Sequence, residues 1–502
     1  MLSNLLKCIQ DIWELHPTAV LVALIAFLII YFFYHKYVTI LQHFIKLGIP
    51  GPKPWPILGN VPEIGQLGGQ HLAHMYYIKK YGKVVGLFYG TEQITLVSDY
   101  EMIKKILVKN FHLFPNRRVP VKFPFDYLNK ALTVVRDQEW KNIRDTITPT
   151  FSANKLKAVL PIVDNSSQEL RSALTSYARQ GEIIDARKVF GKFTMEVILS
   201  VAFGVQLNTQ DTALTDAASK LFSGVGTRVL LAIISPYLLE LIRSSPLDFE
   251  AKYFRRLDRV ARQIIKERRQ SGAPERKDLL QLMLDAQQSG KLSDDDIVAQ
   301  SFVFLLAGYE TTASTLSFIS YLLALNPDVQ EKLINEIDDA FSRIDDDLSY
   351  EQIYDLKYLD MVIAETLRLY PPAPILMREA AQDCTIGDYQ FIAGTSVLIP
   401  TYALQRDSTE WPDPEKFIPE RFTQEEKRKR NPMSYLPFGT GPRICIGMRF
   451  ALMEVKIALV TVLRAVKFIR VKETEVPLHL NAAITISPKN GIKIGLEGRC
   501  LP

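Results

Sequence analysis

The stretch FGTGPRICIG, residues 438 to 447, sets Cys445, one of only four cysteines in the chain, among three glycines, a proline and an arginine. Gly439, Gly441 and Gly447 allow a tight, open backbone, which a cysteine buried only for packing would not need. The composition points to something large held close to that sulfur. A free buried cysteine is the commoner fate of a lone Cys, so the ten residues around it carry the argument.

A thiolate is a soft ligand for iron, and a haem iron held by one keeps its other axial face free. Backbone N–H groups of a tight turn stabilise the negative sulfur. Phe438 is placed to pack against a ring, and Arg443, two residues from Cys445, is placed to meet a carboxylate.

Working outward, the other cysteines, at 8, 384 and 500, form no CxxC pair and no zinc-type spacing. Neither a disulfide framework nor a structural zinc site fits, and the bulk of the chain belongs in a reducing compartment. With 502 residues there is material for one large domain or two to three average ones. The 60 basic and 55 acidic side chains balance to +5, which gives no general case for nucleic-acid binding.

TAVLVALIAFLIIYFFY, Thr18 to Tyr34, is an uncharged apolar run of about the length that crosses a hydrocarbon layer, with no small-residue cleavage site after it. His35, Lys36 and Lys46 follow it, against Lys7, Asp11 and Glu14 before, so the positive-inside rule puts the main body in the cytosol. The expected organisation is a lumenal N-terminus (1–17), an anchor (18–34), a linker (35–60) and one globular domain (61–502). The linker contains GIPGPKPWPILGN, residues 48 to 60, whose four prolines and three glycines read as a stiff extended spacer. KVVGLFYGTEQITLVSD around Gly90 reads as a hairpin. EWKNIRDTI, ARKVFGKFTMEVILSVAF, LDRVARQIIKERRQ and DVQEKLINEIDDAF carry helical periodicity, and short strands follow late in the chain. The fold class is mainly α with a minor β component. Leu221 to Ile242 is apolar enough to suggest a second membrane contact.

These motifs resemble the cytochrome P450 family, whose signature runs Phe-x-x-Gly-x-Arg-x-Cys-x-Gly. Phe438, Gly441, Arg443, Cys445 and Gly447 match it, and three further family motifs occur in order: AGYETT (307–312), ETLR (365–368) and PERF (419–422). The resemblance implies a single P450-type domain binding haem b through Cys445. It implies a scaffold network of Glu365, Arg368 and Arg421, and haem contacts from Arg117, Trp140, Arg144, Ala307, Arg378, Phe438, Arg443 and Gly447. Arg118, beside Arg117, is an alternative there. Thr311 and Glu310 read as a proton relay, since a buried acid in an otherwise apolar helix needs work or a partner. Candidate substrate contacts by position are Phe123, Phe125, Leu128, Phe302, Leu306, Ala373, Ile375, Ile484 and Thr485.

KKYGKV, EWKNIR and GPRICIGMRFALMEVK further resemble the animal microsomal drug- and steroid-oxidising group, which also includes thromboxane synthase. The implied activity is monooxygenation of a lipophile (steroid, terpenoid, fatty acid derivative or xenobiotic) at the endoplasmic-reticulum membrane. Electrons would come from NADPH through a flavoprotein reductase, and in some members from cytochrome b5. The reductase is expected on the Cys445 side, at EEKRKR (425–430) and Lys141. A reductase-independent isomerase of a lipid endoperoxide and a non-catalytic haem or lipid binder stand as alternatives.

Overall fold

A computed structural model describes residues 17–118, 125–205, 220, 251–271, 278–341, 349–482 and 485–499. Phe123, Ile484 and the 221–242 run lie outside the described residues.

The longest described helix, Asp294–Leu325, runs through the core. Ser293 starts it with a capping box, its hydroxyl accepting from the Asp296 N–H while the Asp296 carboxylate accepts from the Ser293 N–H. From Ile297 to Ala324 the helix is buried on nearly every face, which its all-round apolar sequence requires. It is long and apolar enough to cross a membrane, but 72% of its most apolar window lies inside the protein. Helix Ala186–Phe203 packs along it, and at Gly308 a Cβ would come within 2.8 Å of the Ile198 side chain. A larger residue there would push the two helices apart. Helices Lys357–Leu369 and Met448–Leu463 complete this layer.

The main sheet lies to one side. Strands β1 (Val84–Tyr89) and β2 (Glu92–Val97) form the expected hairpin around Gly90; β3 (Leu376–Glu379) and β4 (Ser396–Ile399) follow, in the spatial order β1-β2-β4-β3. Only the β2–β4 pair is parallel.

The N-terminal helix, Pro17–Lys46, extends beyond the apolar run. Leu21, Phe27 and Tyr34 are exposed, whereas Phe44 is buried, its ring 5.0 Å from Phe88 and closely set against Gly86 of β1. The proline-rich segment, expected to be a stiff extended linker, also lies against β1 and the N-terminal helix. After Gly48 turns the chain at φ 65°, Pro50 O accepts from the Gly86 N–H (2.8 Å) and Pro54 O accepts from the Tyr37 hydroxyl (2.7 Å). Prolines cannot donate to the sheet, but their carbonyls accept, so the segment docks instead of swinging.

Glu365 and Arg368 are fully buried. Arg368 Nε and Nη2 reach the two Glu365 oxygens at 2.7 and 2.8 Å, and Arg421 Nε stands 3.4 Å from Oε1. Arg368 also donates to the carbonyls of Gln405, Pro414 and Lys416, and Ile418 N–H donates to Glu365. The ETLR helix thereby fixes the long irregular segment that leads to the cysteine loop.

Candidate active site

Cys445 N–H donates to Phe438 O (2.9 Å) and Ile444 N–H to Gly441 O (3.0 Å), closing the loop on itself. Gly441 sits at φ 74°, and a Cβ there would fall 2.0 Å from Leu107 O, so the residue serves both the turn and a backbone-to-backbone approach. Gly447 then caps the 16-residue helix Met448–Leu463. Burial pushes the Cys445 thiol up. The N–H groups of Gly447 and Met448 and the charges of Arg117 and Arg144 pull it back toward thiolate. The residue lies deep in the protein yet keeps accessible surface, because it lines an internal cavity of about 330 Å³.

Val303, Ala307, Gly308, Thr311, Thr312 and Thr315 of the central helix also line this cavity, a stripe at helical spacing, with Phe438, Cys445 and Gly447 from the loop. Thr311 Oγ1 donates to Ala307 O at 2.8 Å, which commits its proton to the helix and leaves its lone pairs to accept. Glu310 does not line the cavity. Successive helical residues lie roughly 100° apart, and the Glu310 carboxylate, 1% exposed, turns toward Arg187, whose Nη2 donates to it at 2.5 Å. Burial raises the Glu310 pKa and Arg187 opposes the rise. Arg187 is itself partly exposed, so it links this acid to the outside of the core.

Arg117, Trp140, Arg144 and Arg443 line the same cavity, and Arg378 lies close enough to feel the charges of Arg117 and Arg443. Arg443 stacks over the Trp140 ring at 4.3 Å, and its Nη2 donates to Val135 O and Asn116 Oδ1. Arg443 Nε and Nη1 and Arg378 Nε have no hydrogen-bond partner among the described residues. Burial, then mutual repulsion among these arginines, pushes Arg378 and Arg443 down to about 9. Such a cluster is unfavourable without an anion between its members. Arg117 faces the cavity, while Arg118 pairs with Glu92 (2.6 Å) and Gly394 O (2.7 Å). A soft sulfur beneath, convergent unpaired guanidinium donors at the rim and glycines in the loop fit a flat, doubly carboxylated metal chelate.

The sequence profile of the family described as Cytochrome P450 matches residues 49–495. The chain belongs to the cytochrome P450 family. It is 38% identical over 484 residues to cytochrome P450 3A14 of Cavia porcellus, covering 93% of this chain and 94% of that one. Cytochrome P450 3A2 of Rattus norvegicus is 41% identical over 468 residues (89% and 91%), and cytochrome P450 3A12 of Canis lupus familiaris 39% over 473 (91% and 92%). This P450 is a haem-thiolate monooxygenase of the microsomal drug- and steroid-oxidising type, associated with the endoplasmic-reticulum membrane and with its catalytic domain on the cytosolic side. The comparisons lend the isomerase reading no support.

Of the substrate positions named from the sequence, the structure brings Ala373 to the cavity wall. Leu128 and Phe302 are instead core residues; Phe302 stacks on Phe254 with ring centroids 5.6 Å apart. Phe125 stacks on Tyr127, Leu306 packs against the main core, Ile375 packs against the hairpin cluster, and Thr485 is half-buried. None of these four lines the cavity. Leu132, Val303, Phe304, Ile363 and Leu367 line it and were missed. Helical spacing from Ala307 reaches Val303, and Ile363 and Leu367 stand four apart on the ETLR helix, so periodicity held the signal. On the expected reductase face, Lys429 is closed in by Glu425 and Glu426, and Arg430 stacks over Trp411 at 4.0 Å. Lys427, Arg428 and Lys141 are exposed.

Proposed function

We propose that this P450 oxidises neutral lipophiles, anchored through Thr18–Tyr34, with Cys445 as the thiolate ligand of haem b. The observation that supports this reading is one cavity bounded by a sulfur, a rim of arginines and a helix stripe carrying Thr311. Bound there, a haem would supply the redox chemistry of dioxygen activation. Arg117, Trp140, Arg144, Arg378 and Arg443 hold its two carboxylates; Ala307, Phe438 and Gly447 leave room for its plane. The apolar wall of Leu132, Val303, Phe304, Ile363, Leu367 and Ala373 excludes water and favours uncharged substrates such as steroids, terpenoids and foreign compounds. NADPH supplies electrons through a flavoprotein reductase docked near Lys141, Lys427 and Arg428, and cytochrome b5 is a second donor.

In the relay, the lone pairs of Thr311 Oγ1 order a water on the cavity side of the helix. Glu310 lies outside the cavity wall, paired with Arg187; to serve the relay its carboxylate would have to leave Arg187, take a proton from the solvent side and hand it toward that water. Thr311→Ala is expected to keep haem and substrate binding, to release more hydrogen peroxide, and to lower product formed per NADPH on the order of tenfold to a hundredfold. NADPH, peroxide and product measured together with the reductase check this; wild-type coupling in the variant would remove Thr311 from the relay. Product formation by the wild type without NADPH would count against the monooxygenase reading as a whole.

The arginine rim gives a second expectation. Arg378→Met removes a buried charge from a repelling cluster, so the haem-free chain should unfold at no lower denaturant concentration than wild type. The holoprotein should lose haem to a scavenger such as apomyoglobin about tenfold faster or more, the scale of one charge-assisted hydrogen bond. Unchanged haem loss would free Arg378 of this role.

A further inference from the structure

Asn116 is buried, stands beside Arg117 and lies outside the cavity lining, yet it touches every other segment that carries the arginine rim. Its carbonyl accepts from the Glu379 N–H at 3.0 Å, next to Arg378 on β3. Its side-chain Oδ1 accepts from the Asp137 N–H at 2.9 Å, at the start of helix Asp137–Ile147, which carries Trp140 and Arg144. The same oxygen accepts from Arg443 Nη2 at 3.3 Å. At the other end of the amide, Nδ2 donates to Asp137 Oδ1 at 2.8 Å. Arg136, paired with Glu379 through two bonds of 2.9 Å, closes this junction from outside.

A carboxamide has nearly the same shape whichever way round it sits, but one end accepts and the other donates. Only the oxygen suits a guanidinium, which carries donors alone. Asp137 decides the direction twice, because its carboxylate accepts from Nδ2 and its backbone N–H donates to Oδ1. A turned amide would set N–H against N–H at Arg443 and strand the Asp137 backbone donor. Asp137 stands at φ 48° to make both bonds. That is the left-handed region, which Asp tolerates better than most residues with a Cβ, and such strain persists where surrounding bonds over-determine it.

The consequence appears at Arg443. Its Nη2 is pinned by Asn116 Oδ1 and by Val135 O (3.1 Å), and its guanidinium lies over the Trp140 ring. Nε and Nη1 are left as the donors without partners among the described residues.

We infer that Asn116 and Asp137 form a positioning pair: the carboxylate sets the direction of the amide, and the amide oxygen holds the Arg443 guanidinium in the pose that offers Nε and Nη1 to a carboxylate in the cavity. The inference rests on the arginine rim holding the carboxylates of haem, as proposed above. Neither residue of the pair lines the cavity, so the pair acts through Arg443.

The test loads the full chain with haem and times haem transfer to apomyoglobin for wild type, Asn116→Ala, Arg443→Met and the double variant. Asn116→Ala should release haem about threefold to tenfold faster, the scale of one hydrogen bond. In the Arg443→Met background the same change should add nothing, because the group it positions is gone. Equal acceleration in both backgrounds would show that Asn116 acts through the backbone, and no acceleration in the wild-type background would show that it does not act on haem retention; either result overturns the inference. An Arg443→Met protein that kept haem as tightly as wild type would instead overturn the rim reading, and the role of the pair with it. Asp137 gives an independent check at an exposed position, where substitution leaves the core intact. Asp137→Ala should speed release as Asn116→Ala does. Asp137→Asn keeps an oxygen for Nδ2 and the backbone N–H for Oδ1, so it should stay within about twofold of wild type. Release from Asp137→Asn as fast as from Asp137→Ala would assign the effect to charge and overturn the positioning role.

Discussion

Cys445→Ala is expected to yield a folded chain without thiolate-ligated haem and with monooxygenase activity below detection. The fold should survive because the loop is closed through the residue 445 N–H, which an alanine keeps, and because Gly439, Gly441 and the Gly447 cap are untouched. Among the described residues the other cysteine, Cys384, lies in a strand that packs with the cluster around β4, away from the cavity lining. The measurement is the carbon monoxide difference spectrum of the reduced protein, beside the amount of haem retained. The band diagnostic of thiolate ligation should vanish in Cys445→Ala, and Cys445→His should give the imidazole type instead. A persistent thiolate band in either variant would assign the iron to another sulfur.

Glu365→Ala is expected to be the most damaging substitution for stability, by about 3–5 kcal/mol, because it leaves a fully buried guanidinium without its counter-charge. Arg368 would keep its three backbone carbonyl partners, but Ile418 N–H would lose its acceptor and Arg421 its nearest carboxylate. The segment between the ETLR helix and the cysteine loop would loosen, and poor haem incorporation should accompany the loss. Glu365→Gln keeps the shape and some hydrogen bonds and should fall between. Replacing Glu365 and Arg368 together by leucine and methionine should cost less than Glu365→Ala alone, since no charge is then stranded. Chemical unfolding of the three variants decides it: a Glu365→Ala protein as stable as wild type would show that the network contributes no net stability.

The cysteine loop and the β1–β2 hairpin were legible in sequence because each depends on local residue types, glycines where the backbone must close and alternation around a turn, whereas the arginine rim, drawn from segments far apart in the chain, came from the family resemblance. What sequence did not show was direction. Glu310 and Thr311 are neighbours in the chain, yet one faces Arg187 and the other the cavity, a consequence of helical rotation and of a cation supplied 123 residues away. Phe302 looked like a cavity residue and proved to be core, while Val303 beside it lines the wall. Arg117 and Arg118 divided in the same way, because Glu92 on β2 claims the second. The proline-rich segment was read by its lack of donors, which hid how well its carbonyls accept from β1 and Tyr37.

The packing of Phe44 against Phe88 and Gly86 has one more consequence. A catalytic domain on a loose string samples orientations, and only a fraction of its meetings with a membrane-bound redox partner present the right face. With Thr18–Tyr34 as the anchor proposed above, clamping the last turns of that helix to β1 narrows the orientations in which the domain meets such a partner. A larger share of the encounters between the two proteins would then present the face that accepts electrons.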